Sequence, residues 1–122
     1  ELYGLEILAP SINYNSNNYT RFVVISRQRQ NVPNANKITL IIAVKHETGS
    51  LYKMLASFYH TGLNLMNLES RPMGDKSWEY YFYIDVSGNL TDPVVIDVLK
   101  EIEETSTYCK ILGNYCAYER KD

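Results

Sequence analysis

Between Lys37 and Tyr115 the apolar residues fall into six stretches whose spacing runs two, 3.6, two, two, 3.6, two, and very few folds accept that order. Over Lys37–Lys45, Ile38, Leu40, Ile42 and Val44 alternate with Thr39, Ile41, Ala43 and Lys45. This is a strand with one wholly apolar face and one mixed face. Leu51, Met54, Leu55 and Phe58 then make one stripe of an amphipathic helix, running from about Ser50 to Thr61. Gly62 follows where a left-handed cap is wanted. Asn64–Arg71 alternates again, with Met66, Leu68 and Ser70 against Leu65, Asn67, Glu69 and Arg71, before Pro72 and Gly74 turn the chain. Trp78, Tyr80, Phe82, Ile84 and Val86 alternate with Glu79, Tyr81, Tyr83 and Asp85, the clearest strand in the sequence. After the Ser87-Gly88-Asn89 turn, Asp92-Pro93 supplies an N-cap and a first helical residue, and Val95, Val98, Leu99 and Ile102 line one helix face. Tyr108–Leu112, closed by Gly113, is a short last strand.

Strand, helix, strand, strand, helix, strand is two split crossover units. These give an α+β, ferredoxin-like βαββαβ sandwich: a four-stranded antiparallel sheet with both helices on one face. The pattern assigns 37–115 to this domain and 116–122 to a tail. Ahead of it, Leu5, Ile7 and Leu8 precede an Asn-rich turn (Asn13 to Asn18) and the run Tyr19-Thr20-Arg21-Phe22-Val23-Val24-Ile25, which reads as a buried strand. Residues 27–36 are polar and contain Pro33, so 31–36 reads as a linker after a separate unit, 1–30. The opening Glu1-Leu2-Tyr3 reads as a cut from a longer chain.

Charge and composition exclude several functions. A net charge of −2 over 122 residues offers no basic footprint for nucleic acid and no polybasic membrane patch. No stretch approaches the ~18 apolar residues of a membrane span. Cys109 and Cys116 read as two reduced thiols in a cytoplasmic protein, and His46 and His60 lack partners at metal-ligand spacing, so neither metal nor cofactor is expected. Most of the eleven tyrosines follow from aromatic strand propensity. No nucleophile–base set or Gly-rich phosphate loop is present. Glu101, Glu103 and Glu104 read as a solvated helix face, and Glu47, Glu69 and Asp85 could serve as acid or base only if the fold gathered them.

One polar constellation stands out. His46-Glu47-Thr48-Gly49-Ser50-Leu51 joins the first strand to the first helix, and Asn64 opens the second strand. The amides of Gly49, Ser50 and Leu51 are expected as free donors for a carboxylate, with Asn64 beside them for an ammonium or carboxylate group. A free amino acid carries both charges. The alternative is structural: Thr48 or Ser50 as a helix cap, Gly49 and Asn64 as turn residues.

Thr48-Gly49-Ser50-Leu51-Tyr52, Asn64-Leu65 and Glu69-Ser70-Arg71-Pro72 together resemble the ACT regulatory domain of prephenate dehydratases, with its Gly-Ala-Leu-Val and Glu-Ser-Arg-Pro elements. The second element is intact. In the first, Ser50 stands for Ala, Tyr52 for Val, and Thr48 replaces the Pro that usually precedes the Gly. Trp78-Glu79-Tyr80 resembles the family's third-strand opening, and Asn18-Tyr19-Thr20-Arg21-Phe22 its Thr-Arg-Phe motif near the end of the catalytic domain, with Glu1-Leu2-Tyr3-Gly4-Leu5 as the helix end before it.

The resemblance implies a sensor of L-phenylalanine that feeds back on conversion of prephenate to phenylpyruvate. It implies a homodimer with sheets side by side, the ligand at the interface, and an upstream catalytic domain. His46, Thr48, Gly49, Ser50, Leu51, Asn64, Leu65, Met66, Glu69 and Ser70 become the expected ligand-binding residues. Leu51, Leu65 and Met66 are expected as apolar walls, and Glu69–Pro72 either shapes the partner's side of the pocket or forms a salt-bridged strand end. Thr20 would be catalytic in a complete enzyme, and this stretch alone is expected to be inert. Rival readings are retained dehydratase activity, sensing of another amino acid, and an RNA-recognition module, against which the acidic charge argues. The mixed sheet face (Thr39, Ile41, Tyr81, Tyr83) is expected to meet the catalytic domain.

Overall fold

Ile38, Leu40 and Ile42 have no exposed surface, and Ile84 and Val86 beside them have none either. These residues form the floor of the core in a computed structural model that describes residues 3–15, 19–30, 32–74 and 79–118. The elements are β1 (Lys37–Ala43), α1 (Ser50–His60), β2 (Leu65–Pro72), β3 (Tyr80–Ser87), α2 (Pro93–Thr105) and β4 (Tyr108–Tyr115). The sheet order is β2-β3-β1-β4, antiparallel throughout. Met54 and Phe58 of α1 and Val95, Val98, Leu99 and Ile102 of α2 pack into the same cluster, so both helices cover one face. This is the expected ferredoxin-like sandwich.

The helix ends follow their residue chemistry. Asp92 caps α2 by accepting from the Val94 amide at 2.9 Å, with Pro93 at the first helical position. Gly62, at φ +72, ends α1 in the left-handed conformation that glycine adopts without cost.

Four features differ from the sequence expectation. β1 stops at Ala43 and leaves Val44 and Lys45 in the loop. β4 continues past Gly113 to Tyr115, because the register slips between Thr39 and Leu40 and absorbs Leu112 as an extra residue. A second slip in β2 pairs Leu65 with Val86 but Asn67 with Asp85. Met66 is the inserted residue there, so Leu65 turns inward against the core while Met66 stays half exposed. The fourth concerns the run at 19–25, which forms no strand. Phe22, Val23, Val24 and Ile25 are 74–95% exposed, since no sheet edge pairs with them and a lone strand is unstable. Ser16, Asn17 and Asn18 of the expected turn, Trp78, Glu1-Leu2 and residues 119–122 lie outside the described residues, and β3 begins at Tyr80.

Residues 32–36, read as linker, are stitched to the sheet. Asn89 Nδ2 donates to the carbonyls of Pro33 (3.1 Å) and Ala35 (3.0 Å), and Asn36 N donates to Tyr115 O. Gly88 N donates to Asn36 O, and Ala117 N to Asn36 Oδ1 at 2.7 Å.

The face without helices is organised by one carboxylate. Asp85 is 3% exposed and receives Lys37 Nζ at 2.8 Å, Thr39 Oγ1 at 2.7 Å and Arg21 Nη2 at 3.2 Å. Thr39 also shares a hydrogen bond with Tyr115 Oη, whose ring lies under Lys37. Burial pushes the Asp85 carboxyl up. The hydrogen bonds from Lys37 and Thr39, the charge of Lys37 and the bond from Arg21 outweigh it and hold the group below its ordinary 3.8. The native value is thus lower than the unfolded one, and this stabilisation is complete above the unfolded value and fades as pH falls through the native one. Asp85→Asn strands Lys37 in a buried site and is expected to cost about 3 kcal/mol near neutral pH. Urea unfolding at about pH 7 and about pH 3 checks this, with the gap between variant and wild type narrowing in acid.

Candidate functional site

The loop from β1 to α1 shapes a cleft at one end of the sheet. Gly49 sits at φ +83, ψ 0 and serves as the N-cap of α1 with no side-chain hydrogen bond, so neither Thr48 nor Ser50 caps the helix. The left-handed turn lets Ser50 N reach back to Glu47 O at 3.2 Å and Lys53 N reach Gly49 O at 2.9 Å. This corrects the expectation of three free donors, because the Ser50 amide is already taken. Among the described residues no acceptor pairs with the Leu51 amide, which remains a first-turn donor.

The cleft has a volume of about 360 Å³, inside the ~300–1,000 Å³ range of small-ligand sites. Of the sequence-predicted residues, His46, Thr48, Ser50 and Leu51 line it, with Lys45 and Glu47 beside them. Glu79, just before β3, with Tyr80 and Phe82 at its start, completes the wall together with Val44. Those three were not among the expected site residues. Their signal was available, since antiparallel pairing of the first and third strands must bring the start of one beside the end of the other. The lining therefore offers an ammonium, an imidazole, two carboxylates and an apolar surface of Val44, Leu51, Tyr80 and Phe82.

Asn64 is not in this cleft. Its amide donates to Ser87 Oγ at 3.0 Å and its carbonyl accepts from Ser87 N at 2.9 Å, which fixes it at the opposite end of the sheet, where Ser87 pairs with Lys37. A helix returning antiparallel to β1 carries the chain away from the loop it left: the 11 residues of α1 span about 16 Å. Within one chain, the expected partnership of Asn64 with residues 46–51 therefore does not form.

The remaining expected residues lie along β2, the outer strand. Leu65 packs on the core and Met66 is the bulge residue. Glu69 Oε2 accepts from Arg71 Nη2 at 3.1 Å, both side chains more than half exposed, which is the salt-bridged strand end. Ser70 is exposed and gives its carbonyl to Arg71 Nη1. Thr20 is exposed in the non-strand run. Glu47, Glu69 and Asp85 occupy the loop, the edge strand and the buried Lys37 pair, so no acid–base set assembles from them. Among the described residues no group of three or more His, Cys, Asp or Glu could hold a metal, and no helix is long and apolar enough to cross a membrane. Cys109 is half-buried, and burial together with the charge of Glu103 pushes its thiol up, away from the thiolate a nucleophile needs.

Known proteins match the chain along nearly all of its length. The family model described as prephenate dehydratase matches residues 1–30. The bifunctional chorismate mutase/prephenate dehydratase of Aquifex aeolicus (strain VF5) is 40% identical over 113 residues, which are 93% of this chain and 31% of that protein. The arogenate dehydratase/prephenate dehydratase 2, chloroplastic, of Arabidopsis thaliana is 32% identical over 94% of this chain and 33% of its own length. The crystal structure of prephenate dehydratase in complex with L-Phe from Arthrobacter aurescens superposes with a TM-score of 0.64 at 32% identity, over 74% of this chain and 30% of that one. The chain thus spans about a third of the length of the curated relatives it matches.

Gly49→Ala tests how the cleft is shaped. An added Cβ meets nothing within 4 Å, so the cost is backbone strain alone. A loss of about 1 kcal/mol is expected from the left-handed φ, against no loss, or a gain of roughly 0.5 kcal/mol, for Gly74→Ala, whose φ is not in that region and whose surroundings are equally open. Thermal unfolding of the two variants side by side makes the comparison.

Proposed function

Because the chain belongs to the prephenate dehydratase family, we propose that its βαββαβ unit is the ACT-type regulatory part, that it binds L-phenylalanine, and that residues 1–30 are the last stretch of the dehydratase part. The observation that carries the reading is the composition of the cleft. It offers charges of both signs at the β1–α1 turn, next to Leu51, Tyr80 and Phe82. A zwitterion with an aromatic side chain needs these groups together. The L-Phe complex of the Arthrobacter aurescens enzyme supports the choice of ligand. The match of residues 1–30 supports the division of the chain. Whole-enzyme chemistry, the conversion of prephenate to phenylpyruvate in aromatic amino acid biosynthesis, belongs to the complete protein under this reading. Thr20 is one contributor to it, and the chain alone is inert.

The site is shared between two copies. β2 is an edge strand with Met66 and Leu68 exposed, and Pro72 pairs with Tyr80 of the cleft wall. If two copies add antiparallel along β2, the start of one strand meets the end of the other. Asn64 of the partner subunit then comes to the Pro72–Tyr80 end, beside the 46–51 turn, which a single chain cannot do. Met66, Glu69 and Ser70 fall on the seam. A ligand bridging the seam favours one dimer geometry, which is the physical basis of feedback.

L-phenylalanine at about 100 times its dissociation constant is expected to stabilise the chain by ~2.7 kcal/mol, read as a rise in melting temperature. Thr48→Trp, which fills the cleft, and Asn64→Ala are each expected to abolish or greatly weaken the shift. Mixing the two variants is the sharper measurement. A shared site leaves each mixed dimer one intact cleft of two, and random pairing makes about half of the dimers mixed, so binding at about a quarter of the wild-type stoichiometry returns, whereas a site built within one chain gives none. A wild-type chain that no aromatic amino acid stabilises would end this reading.

A further inference from the structure

We propose that the groove between α2 and β4, bordered by Arg29, is a second binding site, and that it takes a small organic anion: a carboxylate on an apolar body, with no ammonium group. Its volume is about 460 Å³, within the range of small-ligand sites. Leu99 of α2 and Ile111 of β4 give it an apolar floor continuous with the core, and Leu90 and Ile96 add apolar walls. Charge is distributed unevenly around that floor. Arg29, Lys100 and Lys110 border the groove against a single carboxylate, Glu103, in a chain whose net charge is −2. Of the four carboxylates on α2, Asp97, Glu101 and Glu104 stay out of the lining. Among the described residues the ion pairs are made by Arg21, Lys37 and Arg71, so none of the three cations at the groove is paired.

Hydrogen bonds hold the parts of the groove in place. Asn114, near the end of β4, accepts from Leu90 N at 3.0 Å through Oδ1, while its Nδ2 donates to the carbonyls of Lys37 and Gly88. Asn89, next to Leu90, donates to Pro33 O and Ala35 O and so ties down the stretch that follows Arg29. The class of ligand follows from the lining. An ammonium would meet three like charges, whereas a carboxylate meets them without first breaking an ion pair. A bare phosphate would leave the apolar floor wet, and an uncharged apolar molecule would leave the cations unused. Burial and the charge of Glu103 push the Cys109 thiol up, so it lines the groove as a neutral group. β4 is the sheet edge opposite β2, so an assembly along β2 leaves the groove open, and the site is independent of the ligand assigned to the β1–α1 cleft.

Titration of the full 122-residue chain with hydrocinnamate, which is phenylalanine without its ammonium group, tests this by amide NMR. Shifts are expected at Ile96, Leu99, Cys109 and Ile111, with the affinity unchanged in Thr48→Trp, whose β1–α1 cleft is filled. Arg29→Gln and Lys100→Gln, both at exposed positions, are each expected to weaken binding up to about fivefold, the scale of one exposed ion pair. Hydrocinnamamide, the neutral counterpart, and inorganic phosphate, which has no apolar body, are each expected to bind about tenfold more weakly or worse. No shifts in the groove at millimolar hydrocinnamate overturn the site, as does an affinity that both Gln variants leave unchanged. Binding that Thr48→Trp abolishes belongs to the other cleft and overturns it too. Equal affinity for the amide, or for L-phenylalanine at these same residues, overturns the assignment to an anion without an ammonium group.

Discussion

The burial of β1 on both faces is the constraint from which the rest of the structure takes its place. Ile38, Leu40 and Ile42 face the helices with no exposed surface, while Lys37 and Asp85 lie buried on the other side. An apolar face binds any helix that presents an apolar stripe, and α1 and α2 both do so through residues at helical spacing. The polar face cannot be satisfied that way. Lys37 and Asp85 are tolerable there only as a pair, with Thr39 and Tyr115 taking the remaining hydrogen bonds. One face therefore supplies most of the burial energy, and the other supplies register: a slip of β3 by a single residue would turn Asp85 into the core.

The same topology decides where chemistry is possible. In a βαββαβ sandwich every crossover returns the chain to the end of the sheet from which its strand set out. The β1–α1 turn and the start of β2 are thus held at opposite ends, separated by the length of α1. Antiparallel pairing then selects the neighbours of each end. The turn receives Glu79, Tyr80 and Phe82, whereas Asn64 receives Ser87. Groups of matching chemistry at opposite ends of a short sheet meet only when a second sheet is added with its direction reversed. The uncovered edge at β2 makes that addition possible.

Much of this was legible in the sequence, and the failures have specific causes. Period-two and period-3.6 spacing located all six elements, because burial on one side imposes it directly: Trp78 aside, the alternating residues of β3 from Tyr80 to Val86 lie on the faces expected. Asp92-Pro93 announced the start of α2 through local chemistry alone. Bulges leave no such trace. Met66 fits the alternation of 64–71 perfectly well on paper, and only the three-dimensional pairing with Val86 and Asp85 shows that it is one residue too many. The pairing of Asn64 with residues 46–51 failed because the crossover's direction was read correctly and its consequence was not. The run 19–25 has the composition of a strand, but composition cannot supply a neighbouring strand, and the run is in no sheet. Of the expected site, His46, Thr48, Ser50 and Leu51 came together because they are neighbours in sequence. The members that needed a tertiary pairing to reach them, Glu79, Tyr80 and Phe82, were the ones missed.

β3 has a role that neither face shows by itself. As the second strand in the order, it is flanked by β2 on one side and β1 on the other, so it cannot move without dragging the edge or straining the core. Its alternate residues report to different surroundings: Tyr80 and Phe82 to the cleft, Ile84 and Val86 to the core, Asp85 to the polar face. Ile84 and Val86 are fully buried, whereas Tyr80 at the cleft wall is partly exposed. Asp85 sits at the transition between the two regimes. Its carboxylate is held by a short, buried Lys37 bond and touched by a longer, exposed Arg21 bond, so Lys37 is the partner that its burial depends on.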